Sequence, residues 1–295
     1  MPVKKTLILT SILGVILTSA IGIAGRTITM KGSDTMVILG QRWAEIYMSE
    51  HKDAVVQVTG GGSGTGIAAL INGTADIAQS SRPMKDKEKT EVKTKRGAAP
   101  AEIATAMDGL AIYVHQGNAI AKLTVPQIKA IYQRDILNWK DLGGPDEEIV
   151  VYSRENNSGT YAYFKEHVLK SEDFAPDVQT LPGTASIINA VSKDKWAIGY
   201  GGIGYSSGVK NLAVAGNDSS ECFRPTEENV ETGKYPLARP LFWYTLGEPT
   251  GEIKALVDWV LSPEGQKVVT DVGYYPLPKI KNDGKPKTAA DADGE

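Results

Sequence analysis

Three short hydroxyl-rich triplets stand out along the chain: Ser33-Asp34-Thr35, Ser63-Gly64-Thr65 and Ser158-Gly159-Thr160. Each follows a short apolar run and precedes residues at helical spacing, so each is expected to open a helix after a strand. The first N–H groups of a helix have no intrahelical acceptor and sit at the positive end of its macrodipole. With hydroxyl donors added, and glycine to let a ligand approach the backbone, such a start makes a site for an anion. Arg82 and Arg154 each fall at or near the end of an expected strand, and a guanidinium meets an oxyanion with a planar fork of donors. Taken alone, a Ser or Thr at a helix start is an ordinary N-cap. Three starts of the same composition point instead to one oxyanion held by several of them.

Other chemistry is disfavoured. The glycine run Gly60–Gly66 lacks the Lys-Ser or Lys-Thr pair of a phosphate loop and has no three glycines at dinucleotide-fingerprint spacing. Neither serine loop forms the Gly-x-Ser-x-Gly elbow of hydrolases. The single cysteine, Cys222, excludes an intrachain disulfide and a cysteine-based metal cluster. His51, His115 and His167 lie far apart and match no zinc spacing. A net charge of -3 gives no basic footprint for nucleic acid, so any anion site must be local. No catalytic residue, cofactor or metal is expected.

The elements that must position these residues alternate. Thr27–Met30 is expected as a strand, followed by a helix over Met36–Met48 in which Met36, Leu39, Trp43, Ile46 and Tyr47 share one face. A strand at Ala54–Val58 runs into the glycine-rich turn and a helix at Ile67–Asn72. A strand at Ala75–Ala78 ends in Gln79-Ser80-Ser81-Arg82-Pro83, and Lys85–Arg96 is a charged, solvated helix. Another strand is expected around Gly109–Val114. The second half repeats the logic, with a helix at Thr124–Tyr132, a strand at Val150–Ser153, a helix at Ser186–Ser192 and strands at Trp196–Tyr200 and Leu241–Leu246. Helices at Glu252–Leu261 and Gly265–Val272 follow. Strands alternating with helices imply an α/β fold with a largely parallel sheet, whose ligand sites lie beyond the carboxyl ends of the strands. Trp139, Trp196 and Trp243 read as core or hinge packing.

Lys4 and Lys5 precede a mostly apolar run from Thr6 to Ala24, with small residues at Gly22-Ile23-Ala24. This pattern reads as a secretory signal cleaved near Ala24–Gly25, with an uncleaved membrane anchor as the alternative. Export with so few cysteines suggests a bacterial periplasm. Asn282–Glu295 is almost devoid of apolar residues and is expected to be a disordered tail.

The stretches Gly32-Ser33-Asp34-Thr35, Gly60–Gly66, Ile77–Arg82, Arg154–Thr160, Ala197-Ile198-Gly199-Tyr200 and Pro225-Thr226-Glu227-Glu228-Asn229 cover most of the mature chain in order and spacing. In these the sequence resembles the periplasmic phosphate-binding proteins that feed the high-affinity phosphate ABC transporter, the PstS family. The resemblance implies a two-lobed, periplasmic-binding-protein (type II-like) "Venus flytrap" fold with the ligand in the cleft. It divides the chain into a signal at 1–24, a first lobe at 25–112 plus 240–280, a second lobe at 113–239 and a tail at 281–295, with crossings near Ala111–Val114 and Arg239–Leu241. It implies phosphate contacts from Ser33, Asp34, Thr35, Ser63, Arg154, Ser158, Gly159 and Thr160. Ser81 and Arg82 complete the expected site. The implied partners are inorganic phosphate and a membrane permease, with a monomer expected and no nucleic acid.

Two departures from the family bear on selectivity. Ser81 stands where some members carry an aspartate that accepts the proton of HPO4²⁻, a proton sulfate does not have. Asp34 is then either the substitute acceptor or simply a cap of the following helix. Asn156 stands where an acid can pair with the binding arginine, which would leave the site more positive. Asp108, a charge in an apolar run, could pair with an arginine at the cleft, but such an Asp more often only shapes a turn, and it is left outside the site. Competing readings are a receptor for sulfate, molybdate or tungstate, a secreted phosphatase, and a sensory or adhesin role on the same fold.

Overall fold

The computed structural model of the chain describes residues 26–278. The expected leader at 1–24 and tail at 281–295 lie outside those residues. The first part runs β1 (Thr27–Gly32), α1 (Val37–Glu50), β2 (Val55–Thr59), α2 (Ser63–Asn72), β3 (Ile77–Ser80), α3 (Asp86–Arg96) and β4 (Pro100–Gly109). Next come β5 (Ala111–His115), β6 (Lys122–Thr124), α4 (Val125–Tyr132), β7 (Val150–Arg154), α5 (Gly159–His167), β8 (Gln179–Leu181) and α6 (Gly183–Val191). The remainder is β9 (Ala197–Gly201), β10 (Val209–Asn211), β11 (Ala213–Ala215), α7 (Glu227–Glu231), β12 (Ala238–Leu246), α8 (Gly251–Leu261) and α9 (Pro263–Val272).

These form two five-stranded sheets, ordered β2-β1-β3-β12-β4 and β10-β5-β9-β7-β8, and a pair of β11 with β6. Apolar side chains cover both faces of each large sheet, and the result is two α/β lobes. In the first lobe, alternate residues Ile28 and Met30 of β1 enter a core with Leu39, Trp43 and Tyr47 of α1. There the Trp43 and Trp243 rings meet edge to face at 5.4 Å, and Trp43 Nε1 donates to the Gly265 carbonyl at 2.8 Å. The opposite face is packed by Ile67, Leu70 and Val92 against Phe242 and Tyr244. In the second lobe, β5 and β9 are apolar almost throughout, as central strands buried on both faces must be. Phe164 stacks on Tyr200 at 4.0 Å, beside buried Tyr132 and Trp139. Trp139 and Trp243 are thus core residues, and Trp196 is half-buried under Lys195.

Two expectations are corrected. The sheets are mixed: β1 is parallel to β2 and β3, but β12 is antiparallel to β3 and β4, and β5 is antiparallel to β9 and β10. β12 enters the first sheet from the second lobe and therefore runs against its neighbours. The strand expected around Gly109–Val114 is two strands in different sheets. β4 ends at Gly109, Leu110 donates its N–H to the Leu237 carbonyl at 2.9 Å, and β5 starts at Ala111. One apolar run thus carries the chain from one lobe to the other. The return strand lies beside it, with Gly109 paired to Ala238.

The glycine run is explained by close approach. α2 starts at Ser63, within the triplet expected to open it, and lies so near β1 that a Cβ on Gly66 would stand 2.3 Å from the Lys31 carbonyl oxygen and 2.5 Å from Gly32 Cα. Both neighbours are backbone and cannot rotate away. Gly66→Ala is expected to destabilise the fold by about 1–3 kcal/mol, read as a lower denaturant midpoint. An unchanged midpoint would show that α2 is not seated on β1 in this way.

Candidate oxyanion site

Three helix starts meet between the lobes. A short turn at Asp34–Met36 leads from β1 into α1, α2 begins at Ser63, and α5 begins at Gly159 behind its N-cap Ser158. The Ser158 hydroxyl accepts from Tyr161 N, which is the ordinary capping role, and the first N–H groups of α5 have no intrahelical acceptor. α5 and α2 are in intimate contact: a Cβ on Gly159 would stand 2.2 Å from Ser63 Oγ and 2.8 Å from Ser81 Oγ.

The side chains form a buried cluster of hydroxyls. Thr35 Oγ1 and Thr160 Oγ1 lie 2.7 Å apart across the lobe boundary. Ser33 Oγ donates to Ser81 Oγ at 2.9 Å, while Ser63 Oγ and Thr160 Oγ1 each lie 3.4 Å from that same Ser81 oxygen. Ser81 N–H donates to Ser63 Oγ at 3.1 Å. All five side chains are essentially out of solvent. Of the expected residues, Ser33, Thr35, Ser63, Ser81, Gly159 and Thr160 therefore come together directly.

Arg154, at the end of β7, is 1% exposed. Its two Nη atoms donate to Thr184 Oγ1 at 2.9 Å and to Asp34 Oδ2 at 2.7 Å. Its Nε is buried without an acceptor among the described residues, and Glu155 Oε2 stands 3.6 Å away. The other Asp34 oxygen accepts from Gly61 N at 2.8 Å, and α1 has no side-chain cap, so Asp34 does not cap that helix. Asp34 instead ties its own loop to the glycine turn and to the opposite lobe. The arginine is not left without an acid by Asn156, which is exposed, because Asp34 and Glu155 take that place. Asn157 adds three further links between lobes: its carbonyl accepts from Gly64 N at 2.9 Å, and its Nδ2 donates to the Gly61 carbonyl at 3.0 Å and to Thr65 Oγ1 at 3.3 Å.

One expected residue points elsewhere. The Arg82 guanidinium is held by both oxygens of Glu88 at 2.7 and 2.8 Å and by the Pro83 carbonyl. Its charge is spent at the start of α3, where Glu88 also accepts from Lys85 N. A second guanidinium that sequence reasoning missed takes its place. Arg239 opens β12, pairs with buried Asp108 and donates to Thr160 Oγ1 at 2.9 Å. The signal was Asp108 itself, because a carboxylate in an apolar run needs a buried cation. Burial pushes the Asp108 carboxyl up, against the opposing pull of Arg239 and the Ile203 N–H. Among the described residues, no group of His, Cys, Asp and Glu is placed to hold a metal ion, and no helix is long and apolar enough to cross a membrane.

Comparison with known proteins agrees with this architecture. The profile of the PBP superfamily domain matches residues 18–264. The phosphate-binding protein PstS of Pseudomonas aeruginosa is 37% identical over 276 residues, covering 88% of this chain and 85% of that protein. PstS of Bacillus subtilis is 32% identical, covering 88% and 83%. The X-ray structure of a Clostridium perfringens substrate-binding protein, assigned to phosphate ABC transport and carrying bound phosphate, superposes with a TM-score of 0.78 at 32% identity. That match covers 86% of this chain and 100% of the other.

The Arg82–Glu88 pair has a pH signature. Burial alone would raise the Glu88 carboxyl, but hydrogen bonds from Arg82 and Lys85 hold it below its ordinary value. A lowered folded value gives stability above the ordinary carboxylate range that is lost as pH falls through it. Glu88→Gln is therefore expected to cost about 0.5–1 kcal/mol at neutral pH after solvent screening, with the gap to the native chain closing in acid. A gap that persists at acidic pH would place Arg82 elsewhere.

Proposed function

This chain belongs to the PstS family of phosphate-binding proteins within the PBP superfamily, and we propose that it is a periplasmic receptor that captures inorganic phosphate between its lobes for a membrane permease of the ABC type. The observation that carries this reading is the meeting of hydroxyls from both lobes, Ser33, Thr35, Ser63 and Ser81 on one side and Thr160 on the other, beside buried Arg154. Hydroxyls and helix-start N–H groups offer an oxyanion many short hydrogen bonds. A desolvated anion needs them, since each oxygen left unpaired costs about 1–3 kcal/mol. Arg154 has N–H groups beyond those given to Thr184 and Asp34, and it supplies the full charge.

Binding of this kind needs no covalent step. An anion touching both lobes favours the closed arrangement over the open one, a population shift set by its contacts in the closed state. The lobes would be residues 25–112 with 240–280 and residues 113–239, and the two adjacent strand crossings would form the hinge. A leader at 1–24 would bring the protein to the periplasm, where it would act as a monomer.

Selectivity falls to Asp34. With Ser81 in place of an aspartate, the centre of the site is built of hydroxyls, and the carboxylate beside them is Asp34, half-buried at the rim. A carboxylate accepts the proton of HPO4²⁻ and repels the bare oxygens of sulfate. Calorimetric titration of the anion-stripped mature protein is expected to show tight phosphate binding with sulfate and molybdate silent. Asp34→Asn is expected to cut phosphate-over-sulfate discrimination by about tenfold or more. Equal binding of sulfate or molybdate by the native protein would overturn the phosphate assignment. Unchanged discrimination in Asp34→Asn would remove Asp34 as the acceptor.

A further inference from the structure

We propose that Arg239, which lies at the hinge and in none of the three helix starts, is a positioning residue that presets the hydroxyl of Thr160 as a donor to the bound oxyanion. The proposal rests on the receptor reading above and adds a residue and a mechanism to it.

Arg239 is 2% exposed and is the second residue of the returning strand β12. Its Nε and one Nη donate to Asp108 Oδ2 at 3.0 and 2.8 Å. That Nη also donates to Thr160 Oγ1 at 2.9 Å, and the other Nη donates to the Ser81 carbonyl at 2.9 Å. The remaining Asp108 oxygen accepts from Ile203 N at 2.9 Å, and the guanidinium lies 5.0 Å over the Tyr163 ring. One planar group therefore touches the Ser81 loop of the first lobe, the outgoing crossing strand and the start of α5 in the second lobe.

The direction of these bonds is not free. A guanidinium can only donate, so Thr160 Oγ1 must accept from Arg239. The proton of Thr160 then remains to be given forward, towards Thr35 Oγ1 at 2.7 Å or an anion oxygen placed among these hydroxyls. Ser63 is set in the same sense from the other lobe, because Ser81 N–H, which also only donates, points into Ser63 Oγ. An ionised oxygen offers only acceptors, and a site whose hydroxyls already point their protons inward loses less freedom on binding. Asp108 offsets the charge of Arg239, so the residue acts through the geometry of its fork. Lysine would keep the charge but has no planar fork with which to hold Asp108, the Ser81 carbonyl and Thr160 at once.

The test is a cycle of phosphate titrations by calorimetry on the native chain, Arg239→Lys, Thr160→Val and the double variant. Each single change is expected to weaken phosphate binding by about tenfold or more. The double variant is expected to bind within about a factor of two of Thr160→Val alone, because Arg239 acts through that hydroxyl. Native-like binding by Arg239→Lys, or losses that multiply in the double variant, would overturn the proposal, since a merely structural role would give independent effects. Should Arg239→Lys fail to fold, the guanidinium N–H resonances of Arg239 in the native chain give a second readout. They are expected to shift in step with phosphate saturation and to lose that response in Thr160→Val. No shift in the native chain overturns the proposal. A native chain that binds no phosphate would instead overturn the receptor reading itself, and this inference with it.

Discussion

Two arginines buried out of water constrain this molecule more than any other feature. A guanidinium removed from solvent must be paired and hydrogen-bonded or it destabilises the fold by several kcal/mol. Arg154 meets this demand by reaching from the second lobe to Asp34 of the first, and Arg239 meets it with Asp108 on the neighbouring crossing strand. The first pair draws the lobes together and the second binds the two strands that join them. Around these pairs the Asp34–Met36 turn and the starts of α2 and α5 come into contact.

What lies between the arginines is neutral. Ser33, Thr35, Ser63, Ser81 and Thr160 satisfy one another in a region where an unpaired charge would be costly. The positive potential an anion would meet comes from helix starts and from a guanidinium whose partners leave N–H groups over, in a chain whose net charge is -3. Arg82, close in sequence to Ser81, adds nothing to that potential because Glu88 clamps it at the start of α3. Asp34, half-buried on the same loop as Ser33 and Thr35, has its carboxylate held by Arg154 and the Gly61 N–H.

The glycines around this region serve packing as much as ligand access. Gly66 seats α2 on β1, and Gly159 lets α5 approach Ser63 and Ser81 at distances a side chain would forbid. The second half of the glycine-rich turn is in the structure the start of α2, with Gly64 and Gly66 inside the helix.

Local periodicity was enough to find most of the fold. The face of Leu39, Trp43 and Tyr47, the amphipathic Glu252–Leu261 segment and the apolar runs at Val150 and Ala197 each carry their own evidence, because a helix or buried strand imprints its spacing on consecutive residues. The three hydroxyl triplets were legible for the same reason, each being a strand-to-helix turn contained within a few residues. Tertiary structure alone decided how those pieces face one another. It split the run through Leu110 between two sheets, since a strand leaving one sheet for another shows no break in hydrophobicity. It turned β12 antiparallel, turned Arg82 away to Glu88, and brought Arg239 beneath Thr160 from 79 residues further along the chain. Long-range ion pairs leave no periodic trace, so the sequence determined which local groups could bind an anion, and the burial of two arginines decided which of them share one site.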